Sequence, residues 1–249
     1  MQFERTGFAR GVSNVHGTVA GSATVPAWPT ALKQRLKTLG SKLSDAQIDA
    51  WIESTYGLRP GAGPSGAPQW RQASRGKIGP ALPWAAAFDP VKGTVEWKQA
   101  EFRLDDPRPW TGVFDPIKGE VVWREAENVN GYVYPWSGVF NPVKGELEWV
   151  KAKNINNYIY PFGGAFDPTT GKVEWKRAEY DFGKVLPWTA AFNPAKGALE
   201  WKRGAYDEAP WAAVFDPTKG EIEWRECPKP FGSAYPWAGA FDPRSSQVR

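Results

Sequence analysis

Large aromatic residues recur at a fixed interval along this chain, with polar and charged positions alternating around them. Tryptophan returns every thirteen residues at Trp84, Trp97, Trp110, Trp123, Trp136 and Trp149, then Phe162 takes the same slot before Trp175, Trp188 and Trp201. After a three-residue contraction the series resumes at Trp211, Trp224 and Trp237, and Trp70 stands fourteen residues before Trp84. A constant period of this kind is the signature of one supersecondary unit stacked many times. The unit is 26 residues, built from two unlike thirteens. The first reads Pro-Trp-x-small-x-Phe-Asp/Asn-Pro-x-x-Gly, and the second reads x-Glu-Trp-basic-x-small followed by a variable stretch.

Asp89-Pro-Val-Lys-Gly93 and its copies at 115–119, 141–145, 167–171, 193–197 and 216–220 carry the chemistry of a turn. The Asp or Asn side chain bonds the backbone ahead of it, Pro presets φ, and Gly supplies the left-handed closing conformation. Flanked by alternating residues, each copy predicts a β-hairpin with a four-residue loop. Asp89 then faces Thr94, Phe88 faces Val95, Ala86 faces Trp97, and Trp84 faces Gln99. The position two after the first aromatic is always small (Ala86, Gly112, Gly138, Gly164, Ala190, Ala213, Gly239), which leaves room for the indole opposite. Alternation puts an acidic column (Glu96, Glu148, Glu174, Glu200, Glu223) and a basic one (Arg71, Lys98, Arg124, Lys176, Lys202, Arg225) on the other face. That face is expected to be wet, and the repeat tryptophans are expected to form the core.

The half-units do not pair off along the chain. A Glu-Trp strand at Trp70 lacks a preceding partner and a Trp-to-Phe strand at Trp237 lacks a following one. The predicted fold class is therefore mainly β: seven 26-residue antiparallel β-hairpin repeats closed into a ring or barrel-like array by pairing of the N- and C-terminal strands. Residues 1–28 read as an extended N-terminal arm. Residues 29–57 read as a short helical hairpin, started by Pro29 and Ser44-Asp45 and stopped by Gly40 and Gly57. Its narrow stripe of Leu32, Leu36, Leu39, Ile48, Trp51 and Ile52 needs a surface to dock on. Residues 58–68 form a Pro/Gly linker, and 69–249 the Trp-rich repeat domain.

Composition narrows the chemistry. One cysteine, Cys227, in the small-residue slot and one histidine, His16, cannot assemble a Cys/His metal cluster or a Cys–His nucleophile pair. Carboxylates recur once per unit, as scaffold residues do, and no phosphate-cradling loop or dinucleotide motif is present. No metal site, cofactor or enzymatic activity is expected. A net charge of +4 on 249 residues argues against nucleic-acid binding. The start, Met1-Gln-Phe-Glu-Arg, lacks the apolar run of a secretory signal, and no stretch has the length and apolar character of a membrane span, which points to synthesis in the cytoplasm.

Two candidate surfaces remain. The variable stretches gather Asn128, Asn130, Tyr132, Tyr134, Asn154, Asn156, Asn157, Tyr158 and Tyr160 on one edge, a polar and aromatic mix suited to a glycan or a protein. The turns line up Lys92, Lys118, Lys144, Lys196 and Lys219 as a basic rim on the opposite edge. The array resembles choline-binding and glucan-binding repeats in stacking Trp-bearing hairpins around glycine turns, without their Gly-Trp and Trp-Tyr-Tyr pattern. Phe166-Asp-Pro-Thr-Thr-Gly-Lys-Val-Glu-Trp175 is similar to bacterial WG repeats, without the Trp-Gly dipeptide. The function expected is a non-catalytic structural or assembly protein, such as a phage virion or tail-associated component. Residues 1–57 would anchor it to other protein subunits. The alternative is a multivalent carbohydrate-binding protein.

Overall fold

The computed structural model describes residues 25–75, 81–103, 106–204, 210–228 and 235–245. The extended arm expected over 1–28 therefore falls almost wholly outside the described residues. Helix α1 spans Trp28–Thr38, with Pro29 in its first turn. Helix α2 spans Asp45–Tyr56; Ser44 and Gln47 cap its start reciprocally, and Gly57 ends it at φ 72°. The rest of the described chain is mainly β, in antiparallel two-stranded ladders.

Seven ladders are the long hairpins of the repeat, each with a leading Trp/Phe strand and a trailing Glu-Trp strand. Hairpin one joins Trp84–Asp89 to Thr94–Gln99, two joins Trp110–Asp115 to Glu120–Glu125, and three joins Trp136–Asn141 to Glu146–Lys151. Four joins Phe162–Asp167 to Lys172–Arg177, five joins Trp188–Asn193 to Ala198–Arg203, and six joins Trp211–Asp216 to Glu221–Glu226. Hairpin seven pairs the trailing strand Ala67–Gln72 with the C-terminal leading strand Trp237–Asp242, placing Trp70 opposite Gly239. The expected register holds throughout: Ala86 faces Trp97 and Phe88 faces Val95. No ladder joins one long hairpin to the next among the described residues, so the units meet through side chains and not as one continuous sheet.

The turns form for the reason the sequence suggests. Asp89 Oδ1 accepts hydrogen bonds from the Val91 and Lys92 amides at 2.9 and 3.1 Å, and Gly93 closes the loop at φ 72°. Asn141 and Asn193 repeat the arrangement. The small slot is equally constrained, because a Cβ on Gly138 would lie 2.5 Å from the Trp149 ring.

The core is not where the period placed it. The repeat tryptophans are half-buried, whereas Phe88, Phe114, Phe140, Phe166, Phe192, Phe215 and Phe241 are buried. Four of these phenylalanines (Phe140, Phe166, Phe192 and Phe215) form one cluster with Leu32, Leu36, Ile48, Trp51, Ile52 and Tyr56 of the helices. Trp51 meets Phe166 edge-on at 5.7 Å, and Trp28 meets Phe215 at 5.5 Å. The docking surface that the helical stripe requires is thus the turn-proximal end of the repeats themselves. Arg35 and Ser41 add hydrogen bonds to the carbonyls of Pro168, Thr169 and Pro142 at the turns. Segment 58–66 also lies against the array: Leu58 is buried, and the Ser65 hydroxyl donates to the Pro243 carbonyl.

Candidate functional site

The face expected to be wet stays exposed or half-buried, but its charges also make contacts between hairpins. In six of the seven trailing strands a basic residue reaches the next hairpin and lies over both of its aromatic rings. Arg71 covers Trp84 and Trp97, Lys98 covers Trp110 and Trp123, and Arg124 covers Trp136 and Trp149. Lys176 covers Trp188 and Trp201, and Lys202 covers Trp211 and Trp224. Arg225 then covers Trp237 and Trp70 of hairpin seven. The acidic column joins in, as Glu96 accepts from the Trp123 indole of the next hairpin at 3.2 Å. Hydroxyls bind neighbouring leading strands: Thr111 donates to the Trp136 carbonyl and Thr189 to the Trp211 carbonyl. One interval departs from this scheme, where Val150 replaces the cation and faces a hairpin that opens with Phe162.

The leading strands of all seven hairpins line a single cavity of about 350 Å³, with Trp51, Ser54, Thr55 and Tyr56 of α2 at one side. Its chemistry follows from strand pairing. The Pro carbonyl before each leading strand accepts from the amide of the small residue after the trailing strand, as from Ala152 to Pro135 at 2.9 Å. Antiparallel pairs alternate between bonded and non-bonded, so the peptide groups of the Trp, small and Phe positions point away from their own partner strand. Phe88 uses its carbonyl to accept from Ser54 at 2.6 Å. The cavity wall therefore presents backbone N–H and C=O groups rather than unlike reactive side chains, a lining suited to water; by volume it holds roughly ten molecules. Burial pushes the Tyr56 hydroxyl pKa up, so it stays protonated and can donate there.

The turn lysines are engaged within their own hairpins. Lys144 pairs with Glu148 at 2.9 Å, Lys196 with Glu200 at 3.2 Å, and Lys92 and Lys219 pair likewise with Glu96 and Glu223. Lys118 lies 4.0 Å from Asp115. The rim is a set of neutralised pairs, each worth about 0–1 kcal/mol, and it carries little free positive charge.

The variable edge is more ordered than the sequence reading allowed. Four of its stretches form short hairpins, one to four in chain order: Glu101–Arg103 with Asp106–Arg108, Glu127–Val129 with Tyr132–Tyr134, Lys153–Ile155 with Tyr158–Tyr160, and Glu179–Asp181 with Lys184–Leu186. A two-residue ladder, Ser74–Arg75 with Ala81–Leu82, precedes long hairpin one. Asn130 with Gly131, and Asn156 with Asn157, are turn residues at positive φ. Asn128 and Asn154 accept from the Gly131 and Asn157 amides and reach back to Asp106 and the Tyr134 hydroxyl. The side chains of Asn128 and Asn154 are thus engaged in the scaffold, whereas Asn130, Asn156 and Asn157 are exposed at the turn tips. The Asn-Gly dipeptide between alternating residues was the available hairpin signal. Tyr132 and Tyr134 are half-buried, with Lys151 5.9 Å from the Tyr134 ring.

Tyr158 and Tyr160 do belong to a distinctive place. Tyr180 packs against both, with ring centroids 4.7 and 6.5 Å apart. Between the third and fourth short hairpins lies an open groove of about 620 Å³ lined by Lys153, Ile155, Tyr160, Phe162, Arg177, Ala178, Glu179 and Tyr180. Arg177 lies over the Tyr160 ring at 5.5 Å. No protein-family model, curated protein or solved structure matches the chain. Of the groove residues only Tyr160 was a sequence candidate; Phe162, the one break in the tryptophan series, was the signal for the rest.

Proposed function

We propose that the protein is a non-catalytic structural or assembly component, of the kind a phage virion or tail carries. Its seven hairpins close into a circular array that displays the short hairpins to a partner. The observation that carries this reading is the succession of cation–aromatic bridges from Arg71 onward, which comes back through Arg225 to hairpin seven. It is supported by the pairing of the chain's terminal strands and by Arg244, whose guanidinium donates to the Pro90 carbonyl of hairpin one at 3.1 Å. Recurrent charges and aromatics spent on holding units together serve a rigid platform. The helical hairpin spends its apolar stripe on the same platform, so anchoring to other subunits falls to the arm before Val25.

Comparison of the full chain with one starting at Val25 tests the reading. Both should melt alike, but only the full chain should co-sediment with large particles from its source. A full chain that stays free of any particle, or a shortened chain that incorporates equally, would refute it. A multivalent glycan binder is the second reading, favoured by the exposed rings of Tyr158, Tyr180 and Phe182. Equivalent positions in the short hairpins differ, however, with Phe102, Asn128, Asn154 and Tyr180 in one slot. That variety favours one special groove over a site in every repeat.

A further inference from the structure

The groove between the third and fourth short hairpins carries two cations at positions whose charges are matched in the neighbouring short hairpins. The residue that opens a short hairpin lies beside the residue that ends the following long hairpin, 24 positions later. Glu127 pairs with Lys151 at 2.9 Å, and Glu179 pairs with Arg203. Where both positions are acidic, at Glu101 and Glu125, Arg103 bridges them. Ser74 and Gln99, the matching pair before and at the end of long hairpin one, are uncharged and share a hydrogen bond at 2.7 Å. At one further pair stand Lys153 and Arg177, both cationic and both lining the groove. Neither side chain makes an ion pair or hydrogen bond among the described residues. Arg177 lies over the Tyr160 ring, but the positive charge of both side chains is left unmatched at the groove, where an anion would meet it.

A further departure lines the same groove. Phe162 fills the slot held elsewhere by tryptophan. Around the cations lie Tyr160, buried at 8% exposure, Phe162, and Tyr180, 46% exposed. The one acid in the lining, Glu179, is held by Arg203 and by the Trp188 indole at 3.2 Å, which keep its pKa below the usual carboxylate range. Its charge is already matched.

We propose that this groove binds an anionic sugar, its acid group held between Lys153 and Arg177 and the apolar face of its ring laid on the exposed Tyr180. The volume of about 620 Å³ suits a short oligosaccharide. Arginine offers a planar pair of donors to a carboxylate or sulfate, and lysine adds a mobile charge. The site rests on the groove alone and is independent of any assembly role.

Titration calorimetry on the full chain at low salt tests this with four probes: trigalacturonate, neutral galactotriose, galactose 6-sulfate and hexathymidylate. Binding of trigalacturonate without the sulfate identifies a carboxylate ligand, and binding of both identifies a general sugar anion site. Lys153→Glu recreates the ion pair that Glu127 and Glu179 make, so it should fold with unchanged or higher Tm and bind trigalacturonate at least about tenfold more weakly. The proposal is overturned if neither anionic sugar binds, if galactotriose binds as well as trigalacturonate, or if hexathymidylate binds more tightly than both. Unchanged affinity in Lys153→Glu also overturns it.

Discussion

Completing the missing bridge between hairpins three and four offers a direct measurement of what holds the array together. Six cations stand 3.9–5.2 Å from the ring centroids they cover, two rings each. The double variant Val150→Lys with Phe162→Trp builds the seventh, over the introduced indole and the existing Trp175. Position 150 faces Ser137 just as Lys202 faces Thr189, so a lysine has a small hydroxyl residue as its cross-strand neighbour in both places. A cation over an exposed ring contributes about 0.5–1 kcal/mol, so two rings should add about 1–2 kcal/mol. For a chain of this size each kcal/mol raises Tm by about 2–4 °C, giving an expected gain of roughly 2–8 °C. Val150→Lys alone should gain less, since only Trp175 is then a tryptophan. A double-mutant cycle by urea denaturation isolates the contact between the new lysine and the introduced indole, expected at about 0.5 kcal/mol or more. Zero or unfavourable coupling, with all variants folded, would refute the claim that the bridges stabilise stacking.

Trp51→Ala, which empties a buried site against Phe166, should cost about 3–5 kcal/mol, and Trp123→Ala on the half-buried rim clearly less; equal losses would contradict the division between core and rim. Deleting residues 235–249 removes the partner of Ala67–Gln72 and should lower Tm and promote association through the Trp70 edge; a monomeric variant with unchanged Tm would argue against closure. Arg203 and Lys151 hold Glu179 and Glu127 below the usual carboxylate pKa; for Glu148, Lys144 and Asn141 outweigh the upward push of burial. Their stabilisation is complete above the unfolded value and is lost as pH falls through the folded one, so Tm should be flat near neutrality and fall below about pH 4. A Tm that rises on acidification through that range would reverse the sign.

Local chemistry was written in the sequence. The Asp/Asn-Pro-x-x-Gly loop, the register that sets Ala86 against Trp97, and the complementarity of the strands at Trp70 and Trp237 all depend on neighbours along one or two strands. Backbone sterics and the two-residue alternation decide the loop and the register, whereas the ladder of Ala67–Gln72 with Trp237–Asp242 needs the intervening hairpins to bring its strands together. The capping of α2 by Ser44 was legible on the same grounds. The short hairpins were legible too, through Asn130-Gly131, although polarity alone made them look like loops.

Tertiary structure decided which faces are buried. A period of thirteen shows that Trp97 and Lys98 point to opposite faces, but not that the lysine of one hairpin covers the tryptophans of the next. Nor does it show that the helices fill the space between the phenylalanines, which is what makes Phe166 more buried than Trp175. The groove is of the same kind. Lys153 and Arg177 are 24 residues apart and look like ordinary surface charges until adjacent hairpins bring them to one opening. Alternation along a strand is a property of the backbone, whereas the distance between strands depends on every side chain stacked between them.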